Sequence, residues 1–179
     1  MTLSEAELIF GTIFLLLGTA FLCFPAACLK LLHSGMRSQT VNYACFVPAV
    51  SWFLWHIFHL RESDFGQYKV FFFIFFAAVG LIALLHLRDF LSIRGICIFA
   101  LLGANELLQA AYMEETASRL WMVFGIYFTI LLSIYLGTWP YRFRDFIDWF
   151  REKKDFFYPR FLGALLAIYG CVVLATLFW

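Results

Sequence analysis

Long apolar stretches interrupted by short polar ones dominate the chain, and the interruptions recur at about the length of a membrane span. They place spans at Leu8 to Leu29, Val41 to Leu60, Tyr68 to Leu87, Gly95 to Tyr112, Leu120 to Trp139 and Phe161 to Trp179. The third is the most apolar, with Phe71, Phe72, Phe73, Phe75 and Phe76. The fourth is interrupted by Asn105, Glu106 and Gln109. Segments of about 20 residues without strict polar and apolar alternation read as helices rather than barrel strands. The expected fold is therefore all-α, a polytopic membrane protein forming a single transmembrane bundle over residues 1–179.

A different pattern runs from Pro140 to Arg160. Trp139, Phe143, Phe146, Ile147 and Phe150 recur at spacings of three and four, with Arg142, Arg144, Asp145, Asp148, Arg151 and Glu152 on the remaining arc. This predicts an amphipathic helix lying in the cytoplasmic interface between the fifth and sixth spans, with Phe143, Phe146, Ile147 and Phe150 towards the bilayer. Pro140 and Pro159 each suit a helix's first turn.

Composition agrees with the pattern. Of 179 residues, 64% are apolar and 14% charged, against about 45–50% and 25% in soluble domains. A net charge of +1 offers no field to recruit nucleic acid. The basic residues are nevertheless unevenly placed. Lys30, Arg37, Arg88, Arg94, Arg142, Arg144, Arg151, Lys153, Lys154 and Arg160 fall on one side of the spans; Arg61, Lys69 and Arg119 fall on the other. The positive-inside rule puts the first set in the cytoplasm and both termini outside. Glu5 and Glu7 precede the first span where a signal peptide needs basic residues, so that span is expected to be retained. A bacterial inner membrane is the expected location.

Five cysteines, Cys23, Cys28, Cys45, Cys97 and Cys171, fall inside the expected spans and read as small packing residues. No spacing suits zinc. Arg88, Asp89 and Phe90 recur as Arg144, Asp145 and Phe146, an offset of 56 that suggests a tandem duplication laying the second and third spans over the fourth and fifth. Gly11, Gly18, Gly125, Gly163, Ala167 and Gly170 mark close helix contacts.

Candidate chemistry centres on the fourth span. Glu106 lies 12 residues beyond Arg94, about 18 Å into a core about 30 Å thick. A carboxylate at such depth should face protein or a wet cavity. Asn105, Gln109, Tyr112 and Thr116 share a narrow arc with Glu106 at its edge. His56 and His59 lie three residues apart on the second span, beside Trp52 and Trp55. Counted from similar starting depths, His56 comes level with Gln109 and within about 5 Å of Glu106 along the membrane normal. A histidine beside an acid is material for a proton relay or a polar-solute site. The same groups can equally hold a bundle together by interhelical hydrogen bonds. Histidines three apart on one helix point the same way and do not bracket a haem, and His33 and His86 sit at helix ends, so no haem, metal or other cofactor is expected.

Phosphate loops, zinc-protease motifs, nucleophile elbows and Asp-rich motifs are missing from the sequence. The leading expectation is a non-enzymatic subunit or accessory protein of an inner-membrane complex, partnered by the bilayer and by other membrane proteins or a second copy. A small conduit for protons or a neutral polar solute through Asn105, Glu106, Gln109, Tyr112 and His56 comes second, and a lipid-modifying enzyme third. Size, span number and outward termini are similar to those of small bacterial urea and amide channels, an analogy of topology that no motif carries further.

Overall fold

Two prolines decide where the first and fifth spans stop. Pro25 offers no N–H to the carbonyl four residues back, and its ring crowds that carbonyl. The chain therefore breaks at Phe24 (φ −130°, ψ 54°) and starts a new helix with Pro25 in its first turn. The same happens at Trp139 (φ −120°, ψ 68°) before Pro140. In the computed structural model, which describes residues 2–60, 65–86, 90–112, 119–153 and 156–178, each break leads into an amphipathic helix of 13 residues.

Among the described residues all regular secondary structure is helical, with no strand. The α-helices are α1 (Leu3–Cys23), α2 (Pro25–Arg37), α3 (Gln39–Phe58), α4 (Lys69–His86), α5 (Leu91–Ala110), α6 (Arg119–Thr138), α7 (Pro140–Glu152) and α8 (Phe157–Ala175). Six of them, all but α2 and α7, are long and apolar enough to cross a membrane, which makes this an integral membrane protein. Trp179, expected to end the last span, and Leu87, expected to end the third, lie outside the described residues.

The first span differs from the expected Leu8 to Leu29. It starts earlier because Thr2 and Glu5 form a capping box: the Thr2 N–H donates to Glu5 Oε2 at 2.9 Å, and the Glu5 N–H donates to Thr2 Oγ1 at 3.3 Å. Glu7, expected ahead of the membrane, is consequently inside α1 and buried. The span ends earlier because of Pro25, so Cys28 and Leu29 belong to α2.

The core has two parts. One joins Ala6 and Phe10 of α1, Ala104 of α5, Met122 and Ile126 of α6 and Val173 of α8. The other, at the end carrying α2 and α7, joins Leu29 and Met36 to Ile93, Cys97, Ile147 and Phe150. Ile147 and Phe150 of the amphipathic α7 thus pack onto protein rather than towards the bilayer, with Phe143 partly buried against them. Phe146 is exposed, as is Trp149. In the sequence, the start of α2 merges with the apolar run of the first span.

Antiparallel α1 and α8 form the most extensive helix pair. Their glycines make it so. A Cβ on Gly18 would run into the backbone of Ala167, one on Gly163 would lie 2.8 Å from the Gly18 oxygen, and one on Gly170 would lie 2.6 Å from the Leu15 nitrogen. By contrast α4 touches mainly α3, and Gly80 is its only buried residue. Phe71, Ile74, Phe75, Leu81, Ile82 and Leu85 are exposed along it.

The proposed duplication finds a local mismatch. Arg88 and Asp89 lie outside the described residues; Phe90 is a left-handed residue (φ 61°) just before α5, whereas Phe146 sits inside α7.

Candidate functional site

Helices α3 and α5 run parallel, and residues 50 positions apart face one another along their seam. At its start the Ser92 N–H donates to the side-chain oxygen of buried Asn42 at 2.9 Å. One turn further on, the two backbones come so close at Gly95 that a Cβ there would lie 2.7 Å from the carbonyl carbon of Cys45. Trp52 and Phe99 then pack with ring centroids 5.8 Å apart. Near the far end, His56 Nε2 lies 3.5 Å from Glu106 Oε1. Fourteen residues separate Asn42 from His56 and Ser92 from Glu106, so the two polar contacts are about 21 Å apart along the seam.

The register follows from the helix starts. Ser38 caps α3, its Oγ accepting from the Val41 N–H, and Phe90 turns the chain into α5. His56 lies 17 residues beyond the start of α3 and Glu106 15 beyond the start of α5, and the offset of 50 set by Asn42 and Ser92 carries along the seam to bring them level. Because α5 begins three residues before Arg94, Glu106 stands about 22 Å from its first residue, in the last third of the helix. It is half-exposed, at 45% of its side-chain surface, while His56 Nε2 is itself buried. The hydroxyls on α6 turn elsewhere: Thr129 donates to the Gly125 carbonyl at 2.8 Å, and Ser133 is buried without a bond to Glu106.

The remaining stripe residues do not join this pair. Asn105, Gln109 and Tyr112 lie on an exposed side of α5, Tyr112 at 73% exposure, and neither amide has a hydrogen-bond partner among the described residues. Thr116 lies outside the described residues. His59 packs against Trp55 with ring centroids 4.3 Å apart and planes tilted by 39°, and its Nδ1 meets the Trp55 carbonyl at 2.9 Å. It thereby belongs to an aromatic cluster rather than to the pair.

A second polar cluster, at the opposite end of the seam, was not expected as a site. His33 on α2 lies 3.7 Å from Asp148 on α7, beside a cavity of about 500 Å³ that Arg37, Gln39, Asn42 and Arg144 also line. In the sequence these residues are scattered between positions 33 and 148, and His33 appeared to cap the first span. The signal available was Pro25, which separates α2 and sets it against α7. No protein family, curated protein or solved structure matches the chain.

Proposed function

We propose that this protein is a non-enzymatic integral subunit or accessory protein of a bacterial inner-membrane complex, and that it meets its partner through the amide stripe of α5. The observation that carries this reading is the exposure of Asn105 and Gln109 on a spanning helix without a partner among the described residues. An amide in hydrocarbon without a hydrogen bond costs several kcal/mol. A facing helix, from another membrane protein or a second copy, supplies the missing donors and acceptors. The sparsely packed α4 supports the same reading, since it presents a long aromatic face for further helices.

In this reading the basic end is cytoplasmic and both termini are outside, following the ten-to-three distribution of Lys and Arg. Helix α7 lies in the cytoplasmic interface, seated by Ile147 and Phe150 on the bundle, with exposed Phe146 and Trp149 at the acyl boundary. Helix α2 lies beside it.

The His56–Glu106 contact favours a second reading, a conduit for protons or a neutral polar solute. One experiment separates the two. The wild-type protein and an Asn105→Leu/Gln109→Leu variant are extracted in mild detergent, sized and analysed for bound partners. An assembly in the wild type that dissociates in the variant supports the subunit. A wild-type monomer whose proton or solute flux in liposomes is abolished by Glu106→Gln supports the conduit instead.

A further inference from the structure

We infer that the cavity at the basic end binds a phosphate-bearing anion: the headgroup of an anionic phospholipid or a soluble phosphate ester. The inference rests on residues remote from the α5 stripe and stands independently of the association proposed there. The cavity lies between α2, the starts of α3 and α5, and α7, and its volume of about 500 Å³ is that of an organic ligand site rather than a water pocket. Met36 and Asn42 form buried parts of its wall. Asn42 is fixed by the Ser92 N–H, so this wall is pre-organised.

Charge decides what fits. Two guanidinium groups, Arg37 and Arg144, line the cavity against one carboxylate, Asp148, with the His33 imidazole beside it. That carboxylate is already shared between His33 at 3.7 Å and Arg151 at 3.9 Å. Arg144 rests on Asp145 at 2.9 Å, and its guanidinium lies 5.7 Å from the centre of the Phe90 ring. Arg37 has no anionic partner among the described residues. Guanidinium forks match phosphate oxygens. The amides of Gln39 and Asn42 can bond the ester or polyol part of such a ligand.

Position agrees. The cavity sits where α3 and α5 begin, at the level where apolar spans give way to headgroups. A narrow notch lined by Gln39, Asn42, Tyr43 and Leu91 adjoins it between the same two helices, placing an apolar surface beside the charged one.

The test uses the full chain in nanodiscs made from an equal mixture of phosphatidylglycerol and phosphatidylcholine, with retained lipid read by native mass spectrometry. The wild type should retain phosphatidylglycerol selectively, and Arg37→Ala/Arg144→Ala should reduce that retention by about tenfold. Lys30→Ala/Arg142→Ala removes equal charge from the same end, away from the cavity, and should leave retention unchanged. A second arm adds glycerol 3-phosphate to nanodiscs of phosphatidylcholine alone. A rise in melting temperature in the wild type, absent from Arg37→Ala/Arg144→Ala, assigns the site to a soluble ester. Should the alanine variant unfold, Arg37→Lys/Arg144→Lys keeps the charge but loses the fork, and intermediate retention is expected. Equal loss of retention in the two alanine variants would show diffuse surface attraction and overturn the inference. So would a wild type that prefers neither phosphatidylglycerol nor glycerol 3-phosphate.

Discussion

At the scale of single residues, Glu106 and His56 are the pair whose chemistry is testable most directly. Buried His56 Nε2 lies 3.5 Å from the carboxylate without a hydrogen bond to it, so Glu106→Leu removes the polar group nearest a buried nitrogen, whereas Glu106→Gln leaves an amide oxygen in its place. Glu106→Leu should lower stability by about 1 kcal/mol or less, the scale of interhelical polar contacts in membranes, and Glu106→Gln by less still. Unfolding followed by circular dichroism in mixed micelles measures both. A double-mutant cycle with His56→Leu should show coupling; additive losses would mean that the contact contributes nothing. This pair was legible in the sequence because both helices start at the same end and depth reduces to counting residues. The exposure of Asn105 and Gln109 was not, because a helical arc says which side chains point together and not which neighbour fills the space in front of them.

Among elements, the glycine-lined contact of α1 with α8 and the proline breaks carry most of the architecture. Gly18→Val forces a side chain into the backbone of Ala167 and should cost about 1–3 kcal/mol, the range for overpacking. Gly103 is the matching control, since a Cβ there meets nothing within 4 Å. Gly103→Ala should be neutral or stabilise by up to about 1 kcal/mol through helix propensity. Thermal melts of the two variants give the comparison, and equal losses would show that the close approach does not matter. Spans were readable from the sequence because apolar length is a physical requirement of the bilayer. Helix α2 was not: its apolar residues continue the first span without a charged gap before Lys30, and only Pro25 marks the turn. Helix α7 was readable because charges interrupt its apolar arc, but its apolar face was assigned to lipid when part of it meets α2 and α5.

For the whole molecule, the arrangement concentrates basic residues at the end where α2 and α7 lie. Single cysteines at Ser34 and at Tyr68, in a background without the native cysteines, test the proposed orientation. Intact spheroplasts should exclude a membrane-impermeant maleimide from position 34 and admit it at position 68. Labelling with the reverse pattern would invert the topology and place α7 outside. Neither position lines the cavity or the α5 stripe, so the result bears on orientation alone.

The pairing of α1 with α8 also has a consequence for biogenesis. Helix α1 packs most extensively against α8, which is synthesised well after it. Until α8 is inserted, the small-residue face of α1 around Gly11 and Gly18 lacks the helix that fills it. Assembly therefore includes a long-range contact, of the kind that slows folding and prolongs exposure of partly formed states. A chain ended after Glu152 should insert but be cleared rapidly by membrane proteases, and co-expression of α8 as a separate segment should lengthen its half-life in a pulse-chase experiment.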